Sequence, residues 1–188
     1  MITFQKIRWK NFLSTGDHWS EIDFLGHTTN LVVGTNGSGK STMLDALTFS
    51  LFNKPFRKIN KSQLINATNE KDCVVEVEFT VNNKDYLVRR SIKPNKFDIE
   101  VNGTLLHKES DDRLNQKILE ESILKVNYKS FTQIVILGSS SFVPFMQLST
   151  SNRRDVIEDL LDIRIFSAMN NLIKDCLLYT SDAADEWL

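Results

Sequence analysis

The alternation of apolar and polar residues predicts two strands at the start of the chain. Residues 2–9 and 19–25 each alternate with a period of two, which is the pattern of a strand with one buried face. A short apolar run at 31–33 predicts a third, buried strand. Over 43–52 the spacing changes to that of a helix, because apolar residues recur every three or four positions. This order predicts an α/β arrangement in the first part of the chain.

The middle of the chain has the pattern of an antiparallel meander. Strands are predicted at 74–79, 86–92 and 97–101, and a fourth is predicted at Leu105 and Leu106. The Asn102-Gly103 pair before the fourth strand is a strong hairpin signal, since both residue types adopt positive φ readily. We therefore expect a β-meander inserted after the first helix, in contrast to the α/β arrangement before it.

The last third of the chain is predicted to be mainly helical. A helix over 110–124 begins with Ser110 as its cap and has acidic residues in its first turn. The apolar run 131–137 is rich in β-branched residues, which predicts a buried strand. From 152 to 176 apolar residues line one side of a predicted helix more than about 30 Å long. That length favours the start of a coiled coil, and a long surface helix fits the pattern nearly as well.

Residues 34–41 carry the clearest chemistry. They match the phosphate-binding pattern G-x-x-x-x-G-K-S, between a predicted strand and a predicted helix. In that context the glycines let backbone N–H groups converge on a polyphosphate, and the helix N-terminus adds positive partial charge. Lys40 is predicted to pair with the β and γ phosphates, Ser41 to hold Mg²⁺, and Thr42 to donate to the α phosphate. The predicted nucleotide-binding residues are Gly34, Thr35, Asn36, Gly37, Ser38, Gly39, Lys40, Ser41 and Thr42. The alternative is a glycine-rich turn that matches by chance, and the flanking pattern argues against it.

Composition and charge narrow the class of protein. The 188 residues are 41% hydrophobic and 25% charged, as in a soluble globular protein. Lys and Arg total 23 and Asp and Glu total 24, so any attraction to nucleic acid must come from local clusters. Two distant cysteines, without a C-x-x-C motif or a His cluster, predict reduced thiols. Because no apolar run approaches a membrane span and no signal segment is recognisable, we expect a cytoplasmic protein without membrane contact.

Two basic clusters are candidates for contacts with DNA. Their members are Lys54, Arg57, Lys58 and Lys61 after the first helix, and Arg89, Arg90 and Lys93 on the meander. Few aromatic residues lie beside them, and no helix presents Asn, Gln and Arg together, so we expect contacts with phosphates and no reading of bases. The alternative, given equal weight, is that these side chains are solvated or paired with Glu76 and Glu78 across the sheet.

Several short motifs taken together resemble one family. They are 10–14 (Lys-Asn-Phe-Leu-Ser), the phosphate loop with 42–47, 54–57 (Lys-Pro-Phe-Arg), 63–66, 130–133 (Ser-Phe-Thr-Gln) and 144–154. The set resembles the N-terminal head lobe of the SMC-like repair ATPases of the SbcC class, and within that class the large subunits of phage recombination endonucleases. The loop alone is shared by many ATPases, whereas the whole set, which extends nearly to Asp175, is specific.

The resemblance implies a fold and a set of partners. The implied fold is a P-loop NTPase of the α/β class, an ABC/SMC-type N-terminal head lobe with an inserted antiparallel meander and the start of a coiled-coil helix. A C-terminal lobe is implied to supply the Walker B aspartate, the catalytic glutamate and the signature motif, none of which is in this sequence, so we assign no catalytic residue here. The implied cofactors are ATP and Mg²⁺. The implied partners are the C-terminal lobe of the same head, a second head in a homodimer, a nuclease subunit of the SbcD class and double-stranded DNA without sequence specificity. If the chain is encoded by a phage, its location is the host cytoplasm.

One position departs from the family's pattern. After the predicted strand at 131–137 the family has a glutamine that contacts Mg²⁺ and the attacking water, and the matched residue here is Ser139. We expect Ser139 to hold the metal through a water, beside the hydroxyl of Ser41.

These expectations divide the chain into 1–150 as the N-terminal lobe of the head, 151–176 as the start of the coiled-coil helix, and 177–188 as a tail that resembles a translated sequencing adapter. The predicted function is that of the ATP-binding lobe of the ATPase subunit of a nuclease complex that processes DNA ends, acting as an ATP-gated clamp. The lobe alone is expected to hydrolyse ATP negligibly. The alternative is an SMC- or RecF-like DNA-binding ATPase without a nuclease partner, which the phosphate loop cannot distinguish. A small-molecule kinase is disfavoured, because two predicted strands precede the loop and a meander follows it.

Overall fold

The computed structural model describes residues 2–106, 111–136, 145–161 and 163–185. The chain divides into two compact units, Met1–Tyr128 and Lys129–Leu188, and each is described by itself.

The two cysteines form no disulfide with each other, and burial raises the pKa of Cys73 to about 12. Within the described ranges, none of the helices combines the length and apolarity that a bilayer crossing requires.

The first unit is built on one antiparallel sheet of six strands. Their order across the sheet is β2-β1-β3-β4-β5-β6. The strands are β1 (Ile2–Lys10), β2 (Ser20–Asp23), β3 (Cys73–Val81), β4 (Lys84–Ile92), β5 (Lys96–Val101) and β6 (Thr104–Leu105). The predicted strands at 2–9, at 19–25 and in the meander are therefore confirmed.

The meander continues the sheet that the first two strands begin. β1 pairs with β2 on one side and with β3 on the other, so that Ile7 faces both Ile22 and Val77. The meander itself was predicted from the sequence, whereas its pairing with β1 was not. Alternation along one strand reveals which face is buried, but it carries no information about which distant strand lies alongside.

Helix α1 (Thr42–Phe52) packs on the sheet and forms the core with it. Phe49 of the helix is fully buried and its ring lies 5.8 Å from that of Phe12, which is buried beside the end of β1. The inward side chains of β3, Val75 and Val77, are also fully buried. The helix begins at Thr42, directly after the phosphate loop, so its packing on the sheet anchors that loop to the core.

Residues 31–33 do not form the predicted buried strand. They have no regular secondary structure, and Leu31 and Val33 are 87% and 81% exposed. An extended segment becomes a strand only by pairing its backbone with a neighbour. Within the described ranges of the chain no strand pairs with residues 31–33, so the prediction from apolar content was wrong.

The region after the meander is helical, as predicted. α2 (Asp112–Lys117) is capped by Asp111, whose carboxylate accepts from the backbone N–H of Arg113, and Ser110 lies outside the described residues. The helix continues as a π-helix over Ile118–Leu124. A short 3₁₀ turn, Lys61–Leu64, lies between α1 and the meander.

The second unit contains helices only, among the residues described. They are α3 (Tyr128–Ile134), a 3₁₀ turn (Phe145–Gln147), α4 (Thr150–Leu160) and α5 (Arg164–Asp185), with α3 beginning at the last residue of the first unit. The predicted strand at 131–137 was therefore wrong over 131–134. A short apolar run fits a buried helix turn as well as a strand, and only length distinguishes the two.

The predicted single helix over 152–176 is two helices. The Ser149 hydroxyl caps α4 by accepting from the backbone N–H of Asn152, and α4 ends at Leu160. The backbone N–H of Ile163 then donates to the Glu158 carbonyl, and the Ser167 hydroxyl donates to the Glu158 carboxylate. These bonds take up the freed polar groups at the break, which the apolar periodicity does not reveal.

Candidate nucleotide-binding site

The phosphate loop has a backbone that requires its glycines. Gly37 and Gly39 have φ values of 86° and 93°, in the left-handed region that other residues rarely adopt. A Cβ at Gly34 would lie 2.4 Å from the Ser38 hydroxyl oxygen, so the loop closes too tightly there for a side chain. The glycines of the motif therefore permit the turn that brings the loop to the start of α1.

Ser41 and Thr42 stand where the loop becomes a helix. Ser41 occupies the N-cap position of α1 with helical backbone angles, and its side chain makes no capping hydrogen bond. Its exposed hydroxyl is therefore not used in capping the helix, whereas the adjacent Thr42 is 4% exposed. The first turn of a helix carries unpaired N–H groups and positive partial charge, which suits an anion.

The Lys40 side chain folds back over the loop. Its ammonium group donates to the carbonyl oxygens of Gly34 at 2.6 Å and Thr35 at 2.7 Å. A lysine ammonium has three donors, so these two bonds leave one for a further acceptor. The charge is thereby held at the mouth of the loop, where a phosphate would meet it.

The loop opens into a cleft of about 550 Å³. The residues lining it are Leu13, Ser14, Asn36, Gly37, Gly39, Lys40, Ser41, Thr42, Arg57, Ile59, Gln63, Ile65 and Ala67. The loop residues of this site were predicted from the sequence, but residues 13–14 and 63–67 were not. The only signal for those segments was that both belong to motifs of the resemblance.

Three asparagines join those two segments into one wall of the cleft. The Asn11 side-chain oxygen accepts from the Asn69 amide at 2.6 Å, and the Asn66 amide donates to the backbone carbonyls of Leu13 and Thr15, each at 3.1 Å. Asn11 and Asn66 are 2% and 8% exposed. Buried amides whose donors and acceptors are satisfied hold a loop rigidly, so this wall is fixed without secondary structure.

Arg57 lines the cleft and is anchored by a buried carboxylate on α1. Asp45 is fully buried, and it accepts from the Arg57 backbone N–H at 2.9 Å, from Nε at 2.6 Å and from Nη2 at 2.5 Å. The sequence pattern had predicted a contact between Arg57 and DNA. The structure places it in the wall of the nucleotide cleft, with its guanidinium already paired.

The other cations of the first basic cluster lie around the same connector. Lys54 and Lys58 are exposed, and the Lys54 ammonium lies 5.8 Å from the centre of the Tyr128 ring. Lys61 lies 5.9 Å from the centre of the Phe49 ring, and burial, with the charge of Arg90, lowers its pKa. Lys54 and Lys58 are therefore the members of this cluster best placed to meet an external anion.

The meander cations differ in their surroundings. Arg89 pairs with Glu76 at 2.5 Å, and this carboxylate also accepts from Arg8. The hydrogen bond to Glu76 is the main cause that raises the pKa of Arg89. This pairing agrees with the alternative interpretation of the cluster.

Arg90 and Lys93 occupy opposite environments. Arg90 is 4% exposed, so its guanidinium cannot reach a DNA phosphate without unfolding, and we correct its assignment accordingly. Lys93 is exposed.

Ser139, the predicted water-mediated metal contact, lies outside the described residues.

The residues of the cleft fit a nucleotide with Mg²⁺. The loop has two left-handed glycines, which let its backbone N–H groups converge on a polyphosphate, and a lysine at its mouth. The serine hydroxyl at the start of the helix offers an oxygen ligand to the cation. Within the described ranges no group of three or more His, Cys, Asp or Glu residues is placed to hold a metal by itself. A magnesium ion here would therefore depend on the phosphates for its remaining ligands.

Comparison with known proteins agrees with this geometry. The family model described as AAA domain matches residues 6–183. The chain is 43% identical over 169 residues to exonuclease subunit 2 of Enterobacteria phage T4, which covers 90% of this chain and 30% of that protein. It is 32% identical over 178 residues to the DNA double-strand break repair Rad50 ATPase of Methanococcus maripaludis, covering 90% of this chain and 17% of the relative.

A solved structure shows the same fold. It comes from work on ATP-driven dimerization and DNA-stimulated activation of SMC ATPases, and it superposes with a TM-score of 0.57 at 23% identity. The match covers 84% of this chain and 99% of the other. The chain spans less than a third of the length of the curated relatives it matches. The predicted fold class and resemblance are confirmed: this chain belongs to the AAA domain family and has the fold of an SMC ATPase head.

Proposed function

We propose that this chain is the ATP-binding N-terminal lobe of the ATPase subunit of a nuclease complex that repairs or recombines DNA. The observation that carries the proposal is the cleft lined by the phosphate loop, by Arg57 and by the wall of residues 13–14 and 63–67. Its volume, about 550 Å³, is in the range of small-ligand and cofactor sites, roughly 300 to 1,000 Å³. ATP with Mg²⁺ is the proposed ligand, held by residues 34–42.

The roles of the loop residues follow from their positions. The amides of the loop and of the first turn of α1 bind the phosphates, and Lys40, held at the mouth of the loop by the carbonyls of Gly34 and Thr35, pairs with the β and γ phosphates. Ser41 supplies one ligand to Mg²⁺. When bound, Mg²⁺ would supply neutralisation of the phosphate charge, and the residues for hydrolysis come from elsewhere.

A C-terminal lobe of the same head is the first proposed partner. Leu25, Leu31 and Val33 are 62%, 87% and 81% exposed, and they follow the edge strand β2. An exposed apolar segment beside a sheet edge is a site for strand pairing with another part of the protein. In the proposed arrangement two such heads dimerise around ATP and close over DNA as a clamp, with residues 1–150 as the lobe and 151–176 leading into a coiled coil.

The nuclease is proposed to be a separate protein of the SbcD class. One support is the resemblance to exonuclease subunit 2 of phage T4, which its name describes as part of a complex. A second is the resemblance to one of the subunits of the SbcCD nuclease of Staphylococcus aureus, at 30% identity over 173 residues. The alternative is a DNA-binding ATPase without a nuclease partner. Copurification of a metal-dependent nuclease with the whole protein supports the former, and its absence from a complex that still binds ATP and DNA supports the latter.

The experiment that tests the ATPase proposal is complementation. The 188-residue chain alone is expected to show no ATP turnover, because the base and the signature motif are not in its sequence. Addition of the C-terminal lobe of the phage T4 relative is expected to restore turnover. Steady turnover by the chain alone that Lys40→Ala removes would contradict this assignment, and no nucleotide binding with or without the lobe would overturn the proposal itself.

Binding of duplex DNA by the completed heads is expected to depend steeply on salt. Four lysines of the two clusters are exposed, namely Lys54, Lys58, Lys61 and Lys93. Lys61 donates to the Asn95 side chain and feels the charge of Arg90, so we count the other three, and three phosphate contacts give a log–log salt slope of about -2.7 per head. Lys58→Ala is expected to reduce the magnitude of the slope by about 0.9 without changing ATP affinity. Lys84→Ala, which removes an exposed cation at the β3–β4 hairpin, is the matched control. Equal slopes for both variants and the wild type would assign these lysines to solvent.

A further inference from the structure

The last turn of α1 takes its hydrogen-bond donors from other elements. The Asn53 backbone N–H donates to the Phe49 carbonyl at 2.9 Å and ends the helix in the usual way. The next two carbonyls accept from side chains: Ser50 from Arg90 Nε at 3.0 Å, and Leu51 from Gln116 Nε2 at 2.9 Å. Carbonyls at a helix end otherwise have no partner within the helix. Tertiary structure therefore completes this end of α1.

The charge at this helix end also comes from outside the helix. The sequence of α1 contains no Lys or Arg, although the C-terminal end of a helix favours a cation. Arg90 supplies it from β4, with its guanidinium 3.6 Å from the centre of the Phe97 ring. Burial lowers the pKa of Arg90 to about 10, which leaves the side chain charged at neutral pH.

Gln116 joins Arg90 to the helix and is itself held from behind. Its side-chain oxygen accepts from Arg90 Nη2 at 2.6 Å, while its amide donates to the Leu51 carbonyl and to the Glu120 carboxylate at 2.6 Å. Glu120 belongs to the π-helix that continues α2. The amide thus has its acceptor and both of its donors engaged, so its orientation is specified.

We propose that Arg90 and Gln116 are positioning residues for the phosphate loop, acting through α1. The pair holds the C-terminal end of the helix against β4 and α2, and this sets the direction in which the N-terminal end presents Lys40, Ser41 and Thr42. The inference rests on the proposed nucleotide site at that loop. It also gives the buried Arg90 a role within the fold, in place of the predicted contact with DNA.

Helix geometry explains why the far end matters. An α-helix of 11 residues is about 16 Å long, so a tilt of 5° about its C-terminal end moves its N-terminal end by about 1.4 Å. Displacements of about 1 Å are large for groups that must meet a bound ligand at hydrogen-bond distance. The Ser50 hydroxyl, which donates to the Val88 carbonyl at 3.3 Å, fixes the same turn to β4, whereas the bond from Gln116 to the Leu51 carbonyl joins it to α2.

The test compares Gln116→Leu with a variant in the core, Val81→Ala, which lies at the end of β3. Leucine keeps the bulk of Gln116 but removes the bonds to Arg90, to the Leu51 carbonyl and to Glu120. Val81→Ala, at the end of β3 opposite Ile2 and Lys84, serves as the control for a general loss of stability. Both are made in the 188-residue chain, and their thermal unfolding midpoints are measured so that the comparison is made at equal distance below each midpoint.

The first readout needs no nucleotide. We expect the backbone ¹H–¹⁵N chemical shifts of Gly37, Gly39 and Lys40 to change in Gln116→Leu and to stay at wild-type values in Val81→Ala. The second readout is ATP affinity, which we expect to fall about fivefold in Gln116→Leu only, the low end of coupling between two sites. Gln116→Asn, which keeps the amide but shortens its reach, is expected to match the leucine variant and decides the question if that variant does not fold.

The outcomes separate this inference from the proposed function. Unchanged loop shifts in both Gln116 variants, or equal changes in Val81→Ala, overturn the positioning role. If the wild-type chain binds no ATP, with or without a C-terminal lobe, the proposed function fails, and the loop shifts alone decide whether Arg90 and Gln116 position the loop.

Discussion

Lys40→Ala is expected to weaken ATP binding by the completed head on the order of 100-fold, since a hydrogen bond to a charged group contributes up to about 3 kcal/mol. The side chain is the cation at the mouth of the loop, and its present partners are the carbonyls of Gly34 and Thr35. Both lie in an exposed loop, so their loss should leave the sheet and α1 intact. Titration with a fluorescent ATP analogue measures the affinity, and circular dichroism confirms that the variant is folded.

A matched variant separates the position of this charge from its contribution to the overall charge of the protein. Lys84→Ala removes an exposed cation from the β3–β4 hairpin, outside the cleft, and is expected to keep ATP affinity within about twofold. Equal affinities of Lys40→Ala and the wild type would remove the loop from the nucleotide site. Equal losses in both variants would show that only the overall charge matters.

Arg57→Ala is expected to destabilise the chain by about 3 kcal/mol, because it leaves the fully buried Asp45 carboxylate without its ion pair. For a domain of this size that loss corresponds to a fall of roughly 6 to 12 °C in the midpoint of thermal unfolding. Among the hydrogen bonds that the described residues make to the carboxylate, the one from the backbone N–H of residue 57 would remain. Differential scanning calorimetry at neutral pH measures the change.

The double variant shows whether the pair is the cause. Asp45→Leu together with Arg57→Ala removes the buried charge as well as its partner, so it is expected to recover part of the lost stability. Lys58→Ala, a neighbouring exposed cation, is expected to change stability by less than about 0.5 kcal/mol. If the double variant loses more stability than the single variants Asp45→Leu and Arg57→Ala lose in sum, the ion pair is not what Arg57 contributes.

Local patterns were sufficient for the strands and for the phosphate loop. β1, β3 and β5 alternate regularly enough that their buried apolar faces follow from sequence, and the Asn102-Gly103 turn between β5 and β6 has both residues at positive φ as expected. The loop depends on glycines at fixed spacing, which is a property of contiguous residues. Its backbone could therefore be anticipated before its surroundings were known.

Short apolar runs were the main source of error. Residues 31–33 and 131–134 were both predicted to be buried strands, yet the first is an exposed coil and the second is a helix. A run of this length has no period that distinguishes strand from helix, and the outcome depends on what lies alongside. The break between α4 and α5 has the same origin, because bonds to Glu158 compensate for the interrupted helix.

The sequence by itself determined the phosphate loop, the alternating strands and the resemblance that locates the chain in its family, since each rests on contiguous residues. Tertiary structure alone decided the rest of the site. It brought Asn11 to Asn69, paired Arg57 with Asp45, and buried Arg90 against the end of α1. The physical reason is that a charged side chain has the same appearance in sequence whether it meets solvent, DNA or a buried carboxylate, and only packing determines its partner.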